Sequence, residues 1–319
     1  MKIVFMGTPV FARRPLEYLH CRTGHEVVAV VTGSDQKSGR GRRLLPTAVR
    51  SAAQDLELPV LTPASLKDDR FCREVADFGA DLFVVVAFKI LPEKLFSIPP
   101  KGSINLHGSL LPRYRGAAPI NWALINGETE TGLTTFFLKK KVDTGHIICQ
   151  EKIAIGPEET FDELYRRLSE LAGPVLARTL DSIEAGTAEQ LPQDNALATP
   201  APKINPYDAT IDWGFPPHHV ANFIRGLSSV PGAGTTFRDK RLKILRARPV
   251  TAETPDRIRP GRIIKDKHRL LIAVAGGILE IMELQPEGKS RMSGDQFLRG
   301  YKPRADEILG ARPDKEKQI

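Results

Sequence analysis

The stretch DLFVVVAFKILPEKLFSIPPKGSINLH, residues 81–107, contains two apolar runs separated by a helical pattern. DLFVVVAF (81–88) and SINLH (103–107) predict buried strands, and the residues near 92–97 predict a helix between them. A strand, a helix and a second strand make up the right-handed crossover unit of a parallel sheet. This stretch therefore predicts an α/β fold.

The same alternation of strands and helices runs through the first half of the chain. Further strands are predicted at KIVFMG (2–7), EVVAVVT (26–32) and LPVLT (58–62), and further helices near 10–20, 46–56, 68–78 and 116–126. GLTTFFLK (132–139) and HIICQEKIAI (146–155) follow each other without a helix, which predicts an antiparallel extension, and 161–186 predicts a long closing helix. We expect a Rossmann-like, doubly wound, mostly parallel sheet.

Periodicity fades between residues 189 and 206, where Pro, Ala and Thr accumulate as in a linker. Beyond a helical stretch near 217–227, short strand-like segments alternate with turns, which predicts a small OB-like β-barrel. We therefore expect a first domain over 1–188, a linker over 189–206 and a second domain over 207–319.

Composition is typical of a globular protein, with 41% apolar and 26% charged residues. The opening MKIVFMGTP lacks the features of a signal peptide, and no apolar run approaches the roughly 18 residues needed to span a membrane. Cys21, Cys72 and Cys149 lie far apart without a CxxC motif, so we expect neither a disulfide framework nor a metal site. These features predict a cytoplasmic protein, and nothing suggests an obligate dimer, so we expect a monomer.

Positive charge is concentrated in the last third of the chain. From Tyr207 to Ile319 there are 21 Lys and Arg against 14 Asp and Glu, a net +7 of the total +8. A lysine-rich solvated surface is the simplest explanation of a mild excess. Confinement of the excess to one predicted barrel domain favours a polyanion such as nucleic acid as the partner.

The turn after the first strand, Met6-Gly7-Thr8-Pro9, lacks the GxGxxG motif of dinucleotide-binding proteins. No GxxxxGK[ST] motif is present either. NAD, FAD and nucleoside triphosphates are therefore not expected as ligands of this turn.

Asn105 and His107 stand two residues apart on a predicted strand and so share one face of it. A lone histidine is most often a satisfied core residue. Here the neighbouring Asn105 and the position at the carboxyl end of a parallel strand favour a site instead. The pair suits a carbonyl oxygen that gains negative charge under attack. Asp143 follows the next strand and could orient the imidazole, whereas we interpret His146 as a surface residue at a strand start.

The segment DQKSGRGRRLL, residues 35–45, holds four basic side chains among glycines. A flexible basic loop and a loop that binds phosphate and ribose are equally compatible with this composition.

Several segments together resemble the methionyl-tRNA formyltransferase family. They are VFMGTPVFA (4–12), GRGRR (39–43), INLHGSLLPRYRGAAPI (104–120), VDTG (142–145), PAPKI (200–204), IDW (211–213) and LQPEGKSRMSGDQFL (284–298). The Asn-His-SLLP-Asp set alone would indicate only the wider class of 10-formyltetrahydrofolate-using enzymes. The basic loop and basic second domain favour the tRNA member of that class.

This resemblance implies an enzyme that moves the formyl group of 10-formyltetrahydrofolate to the α-amino group of methionine on initiator tRNA. By the family pattern, Asn105, His107 and Asp143 are catalytic, and no metal is required. The folate contacts would be Ser109, Leu110, Leu111, Pro112 and Phe88. The candidate tRNA contacts are Arg40, Arg42 and Arg43 of the basic loop, together with Lys203, Arg241 and Lys243, which rest on charge alone. The segment AFKILP (87–92) is one residue shorter than the corresponding family segment, which often contains Tyr-Gly-Leu-Ile-Leu-Pro.

Three other functions stay open from the residues. A sugar-nucleotide N-formyltransferase would use the same Asn, His and Asp, but it does not need a strongly basic second domain. A hydrolase that releases formate from the same folate would use water in place of the amine. A non-catalytic RNA-binding protein is disfavoured because Asn105, His107 and Asp143 are all present.

Overall fold

The computed structural model describes residues 1–38, 43–251, 258–264, 266–305 and 307–310. The chain divides into two compact units, which we describe separately. The N-terminal unit comprises 1–119, 130–154 and 165–202, and the C-terminal unit comprises 120–129, 155–164 and the chain from Lys203 onward. The domain boundaries predicted after residues 188 and 206 stay a prediction.

The described residues form short and long strands in both units. The strands are β1 (Lys2–Gly7), β2 (Glu26–Val31), β3 (Gln36–Ser38), β4 (Arg43–Leu45), β5 (Val60–Leu61), β6 (Leu82–Val86), β7 (Ser103–His107), β8 (Arg115–Gly116), β9 (Glu130–Phe137), β10 (Ile147–Ala154), β11 (Pro200–Ala201), β12 (Ala233–Phe237), β13 (Lys240–Val250), β14 (Ile263–Ile264), β15 (Leu270–Val274), β16 (Gly277–Pro286) and β17 (Met292–Ser293). The helices are α1 (Arg13–Arg22), α2 (Ala48–Asp55), α3 (Asp69–Ala76), α4 (Glu93–Phe96), α5 (Pro119–Ile125), α6 (Phe161–Glu184), α7 (Pro217–Leu227) and α8 (Gly294–Tyr301).

The N-terminal unit is built on a seven-stranded sheet in the order β10-β9-β7-β6-β1-β2-β5. The five strands from β7 to β5 run parallel, and β9 and β10 add an antiparallel extension. The predicted Rossmann-like sheet and its extension are thereby confirmed. The strand predicted at 58–62 is shorter than expected, since only Val60 and Leu61 pair at the sheet edge.

Both faces of the central strands are buried, as a parallel sheet with helices on each side requires. Val4, Met6, Phe83 and Val85 alternate along β1 and β6 and pack against a cluster that includes Phe71 of α3. The intervening Ile3, Phe5, Leu82 and Val84 are also fully buried. Continuous apolar runs in these strands, rather than alternating ones, follow from this two-sided cover.

The C-terminal unit contains an antiparallel sheet in the order β12-β13-β16-β15-β14, with β17 added on β16. Register shifts on β13 between Ile244 and Ala247 mark bulges, which bend a strand and increase its twist. The sheet is therefore curled, as the OB-like prediction requires. Its inner face packs against Val220, Ile224 and Leu227 of α7.

Helix α8 was not predicted, although its start carries a recognisable signal. Ser293 Oγ accepts from the Gln296 backbone at 3.2 Å, and Gln296 Oε1 accepts from the Ser293 backbone at 2.8 Å. This reciprocal pair is a capping box, which satisfies amide groups at a helix start. Phe297 of α8 is fully buried and stacks on Tyr301, with ring centroids 4.6 Å apart.

Candidate active site

Asn105 and His107 lie near the carboxyl end of β7, between β6 and β9. Asn105 pairs with Val85 of β6 and with Phe136 of β9, and His107 pairs with Thr134 of β9. His107 is buried, and Asn105 is half-buried. Within the described part of the chain the Asn105 side chain has no hydrogen-bond partner, so its amide group is available to a ligand.

The hydrogen-bond partner of the His107 ring determines which of its two nitrogens carries a proton. Nε2 lies 2.8 Å from the carbonyl oxygen of Tyr114, which can only accept, so Nε2 carries a proton. Nδ1 faces Asp143, whose Oδ2 is 4.0 Å away. That distance is too long for a direct hydrogen bond, so the two groups face each other without a direct bond.

Asp143 sits in the loop between β9 and β10 with a left-handed backbone, at φ 53°. Aspartate tolerates this conformation better than most residues. Its side chain is only 12% exposed, and its Oδ2 accepts the Gly116 amide proton at 2.9 Å. The structure therefore brings the three predicted catalytic residues into one site.

The segment that carries Tyr114 and Gly116 is held by β11. Gly116 has φ 128°, and a Cβ added there would lie 2.5 Å from the carbonyl oxygen of Ala201, so glycine is required. The backbone N–H of Tyr114 donates to Thr199 Oγ1 at 2.8 Å. This anchoring places the Tyr114 carbonyl on His107 and the Gly116 amide on Asp143.

The predicted folate segment, Ser109 to Pro112, lies directly after β7 and includes a cis Leu111–Pro112 bond. Thr134 of β9 anchors this segment by two hydrogen bonds. Its Oγ1 donates to Ser109 O at 2.6 Å and accepts from Leu111 N at 3.1 Å. Gln150 Nε2 donates to Leu111 O at 2.8 Å. Leu110 and Pro112 are half-buried, whereas Leu111 is buried against Phe136. Thr134 was not predicted as a site residue from the sequence, because threonine is common inside strands.

Phe88 is half-buried and packs against the core cluster under β6. Within the described part of the chain, the backbone groups of Phe88 to Ile90 have no hydrogen-bond partner. Ile90 is 74% exposed. This segment therefore offers an exposed apolar side chain next to backbone groups that are open to hydrogen bonding. A flat heterocyclic ligand could pack on the side chain and hydrogen-bond to the backbone.

The predicted tRNA contacts are spread over the chain. Arg40 and Arg42 lie outside the described residues, and Arg43 begins β4. Lys203 is exposed at the start of the C-terminal segment. Arg241 and Lys243 stand two residues apart on β13 and so share one face.

A basic cluster forms around Lys243. Burial, with Arg241 and Arg291 close by, lowers the pKa of the Lys243 ammonium group. Several other arginines of this unit are paired with carboxylates, as Arg238 is with Glu307 at 2.7 Å. By contrast the side chains of Arg241, Lys243 and Arg291 form no ion pair with a carboxylate among the described residues. Glu287 Oε2 accepts only from the backbone N–H of Arg241, at 3.3 Å. Arg291 is a member of this cluster that the sequence analysis missed.

A cavity of about 840 Å³ lies within the C-terminal unit and contains none of the predicted catalytic residues. Arg246 and Arg248 on its wall are paired with Glu163 at 2.6 Å and Glu280 at 3.0 Å. Arg225 donates to backbone carbonyls. The charges of Arg246 and Arg248 are therefore already compensated by carboxylates.

The described residues contain no cluster of three or more His, Cys, Asp or Glu side chains suited to hold a metal ion. Among the same residues, every helix is too short or too polar to cross a lipid bilayer.

Comparison with known families defines the class of the protein. Residues 1–180 match the family model described as Formyl transferase, and residues 203–302 match the one described as Formyl transferase, C-terminal domain. The chain therefore belongs to the formyl transferase family.

Its similar relatives are more specific. A methionyl-tRNA formyltransferase of Porphyromonas gingivalis (strain ATCC BAA-308 / W83) is 44% identical over 94% of this chain and 96% of its own length. One of Moorella thermoacetica (strain ATCC 39073 / JCM 9320) is 44% identical over 97% of this chain and 99% of its own. The resemblance to the methionyl-tRNA formyltransferase family is thereby confirmed, and the protein is an enzyme of that family.

Solved structures share the fold at low sequence identity. The sugar 3N-formyl transferase WlaRD has a TM-score of 0.65 at 17% identity, over 91% of this chain and 99% of its own. The N-formyltransferase of Helicobacter canadensis, in complex with folinic acid and dTDP-3-aminofucose, has a TM-score of 0.63 at 19% identity, over 90% and 99%. HypX of Aquifex aeolicus, in complex with tetrahydrofolic acid, has a TM-score of 0.62 at 17% identity, over 93% and 47%.

Proposed function

We propose that this enzyme transfers the formyl group of 10-formyltetrahydrofolate to the α-amino group of methionine on initiator tRNA. The observation that carries the proposal is identity of 42–44% to methionyl-tRNA formyltransferases over nearly the whole of both chains. The product, formylmethionyl-tRNA, serves translation initiation, and the enzyme works as a cytoplasmic monomer. Residues 1–188 form the catalytic domain, and 207–319 form the tRNA-binding domain beyond a linker.

Asn105 and His107 stabilise the oxyanion that forms when the neutral amine attacks the formyl carbon. The Asn105 amide is free to donate to that oxygen. Because Nε2 of His107 already donates to Tyr114 O, the ring can donate to the oxyanion only from Nδ1, which requires a second proton on the ring. Loss of one such donor typically raises the barrier by about 3–4 kcal/mol.

Asp143 orients His107, with 4.0 Å between the carboxylate Oδ2 and the ring Nδ1. A water molecule hydrogen-bonded to the Asp143 carboxylate carries a proton from the attacking amine to that carboxylate. The proton is then delivered to the leaving nitrogen when the carbon–nitrogen bond of the donor breaks. Proton transfer of this kind contributes roughly 10²–10⁴-fold in rate.

The folate co-substrate supplies the formyl group on N10. The residues that fit it are Ser109, Leu110, Leu111 and Pro112 on one side and Phe88 on the other. The unpaired backbone of Phe88 to Ile90 is suited to the hydrogen-bonding edge of a pterin. Thr134 supports this site because it holds the carbonyl of Ser109 and the amide of Leu111.

The tRNA phosphates are bound by basic residues, among them described side chains that form no ion pair with a described carboxylate. Arg241 and Lys243, with Arg291 beside them, supply such charges on the curled sheet. Lys203 adds an exposed charge at the start of this unit. By the family resemblance, Arg40, Arg42 and Arg43 contact the acceptor end of the tRNA. Neutralised phosphates release counterions, so this binding should weaken steeply with salt.

The direct test is transfer of labelled formyl from 10-formyltetrahydrofolate to charged initiator Met-tRNA, with uncharged tRNA as the control. Label on Met-tRNA supports the proposal. The similarity of fold to sugar N-formyltransferases makes an amino-sugar nucleotide the second acceptor to test. Label on that sugar alone, or release of formate alone, contradicts the proposal.

A further inference from the structure

Gln193 lies beyond α6, in the segment predicted to be a linker, and its side-chain amide is bonded at both ends. Its Nε2 donates to Asp143 O at 3.0 Å and to Gly145 O at 2.8 Å. Its Oε1 accepts from Arg115 Nε at 3.1 Å and Arg115 Nη2 at 2.6 Å. Carbonyls only accept and guanidinium groups only donate, so the orientation of the amide is determined by its partners.

The hydrogen bonds of Gln193 connect to Asp143 in two ways, directly at its backbone carbonyl and indirectly through Arg115. Arg115 is followed by Gly116, whose amide donates to Asp143 Oδ2 at 2.9 Å. Gln193 therefore holds the backbone of Asp143 and, through Arg115, the residue that binds the carboxylate. Asp143 has a left-handed backbone that needs such support.

The segment around Gln193 is itself held in place. Leu191 and Ile147 exchange backbone hydrogen bonds at 2.8 and 2.9 Å, and Ala201 pairs with Gly116 through β11. Asn195 Oδ1 accepts from Arg115 Nη1 at 2.9 Å. The amide of Gln193 is thus presented from an anchored strand-like segment to the loop that follows β9.

We propose that Gln193 is a positioning residue, which holds Asp143 at the distance from His107 that formyl transfer requires. This inference rests on the proposed function of the site. A carboxylate displaced by about 1 Å would be expected to lower the rate on the order of 10²-fold without changing substrate binding.

The test compares Gln193→Ala and Gln193→Glu with the wild-type enzyme. The glutamate keeps an acceptor for Arg115 but loses both donors and opposes two carbonyl oxygens. Gln190→Ala and Gln190→Glu are the matched controls, since Gln190 is an exposed residue of the same segment. We expect both Gln193 variants to lose on the order of 10²-fold in kcat, with KM for 10-formyltetrahydrofolate and Met-tRNA unchanged. The Gln190 variants should match the wild type.

A double variant distinguishes positioning from general destabilisation. If Gln193 acts through Asp143, Gln193→Ala should cause no further loss of kcat in an Asp143→Asn background. Additive losses in the two backgrounds would overturn the proposal. So would wild-type kcat in a Gln193→Ala protein, or a loss of kcat that is restored at temperatures where the variant is fully folded.

Hydrogen exchange of the Gly116 amide gives a readout that needs no substrate. This amide is bonded to Asp143 Oδ2, so Gln193→Ala should speed its exchange while amides of the central strands β1 and β6 stay protected. Unchanged exchange at Gly116 would overturn the positioning role. If the wild-type enzyme fails to formylate Met-tRNA, the proposed function is wrong, and this measurement still decides whether Gln193 holds Asp143.

Discussion

Replacement of Thr134 by valine tests whether the loop after β7 depends on one hydroxyl group. Thr134 Oγ1 has one proton and two lone pairs, and all three are used. It donates to Ser109 O at 2.6 Å and accepts from Leu111 N at 3.1 Å and Gln150 Nε2 at 3.0 Å. The residue is fully buried, so water does not reach the hydroxyl.

Thr134→Val keeps the shape of the side chain and removes only these bonds. It leaves the carbonyl of Ser109 and the amide of Leu111 without partners in a buried place. An unsatisfied buried group costs roughly 1–3 kcal/mol, so two such groups amount to roughly 2–6 kcal/mol. We expect about 3 kcal/mol, toward the lower end of this range. Gln150 adds no third cost, because its Nε2 keeps Leu111 O as an acceptor.

The assay must report the N-terminal sheet. Both tryptophans, Trp122 and Trp213, belong to the C-terminal unit, so intrinsic fluorescence would follow the wrong unit. Hydrogen exchange of peptides that cover β7 and β9, measured at increasing urea, gives the free energy of opening there. Thr134→Ser, which keeps the hydroxyl, is the control. A loss of stability below about 1 kcal/mol, or an equal loss in the serine variant, would refute the reasoning.

Three further outcomes are expected. His107→Ala abolishes formyl transfer and leaves the fold and the tRNA affinity intact, whereas the control His146→Ala retains activity. Unfolding of the His107 variant would contradict the assignment of His107 as a catalytic residue. Lys243→Ala weakens tRNA binding and reduces the slope of log affinity against log salt concentration by about one. The control Lys152→Ala, in the N-terminal unit, leaves this slope unchanged. An unchanged slope in the Lys243 variant would show that Lys243 does not contact the tRNA. The backbone amides of His268 and Arg269 lower the pKa of the Asp266 carboxyl group from 3.8 to about 2. The charged carboxylate therefore stabilises the folded state above about pH 4, and this stabilisation is lost as the pH falls toward 2. Thermal melts of Asp266→Asn and wild type should therefore differ at pH 7 and converge near pH 2, and a constant difference would contradict the sign.

The alternation of apolar runs and helical patterns was sufficient to predict the parallel sheet. Each strand that is buried on both faces needs a continuous apolar run, and each crossover between parallel strands needs a helix. Both signals lie within short stretches of the sequence, so they can be recognised without knowledge of the tertiary structure. The position of Asn105 and His107 followed from the same logic, since the carboxyl end of a parallel strand is where α/β sheets bind ligands.

Other features depend on partners far apart in the chain. Gln193 lies in a stretch without periodicity and acts through backbone carbonyls 48 and 50 residues away, which no local pattern reports. Thr134 has the composition of any strand residue. Helix α8 is different, because Ser293 and Gln296 form a capping box with the spacing S-x-x-Q, which was present in the sequence and could have been recognised.

The anchored segment from Leu191 to Ala201 has a consequence for protein engineering. A chimaera that joins this N-terminal half to the C-terminal half of a relative would be cut most naturally where periodicity ends, near residue 188. Such a junction would import foreign residues at the positions of Gln193, Thr199 and Ala201, which contact the loops around Asp143 and Gly116. A junction after Pro202, where the N-terminal unit ends, keeps those contacts within one parent.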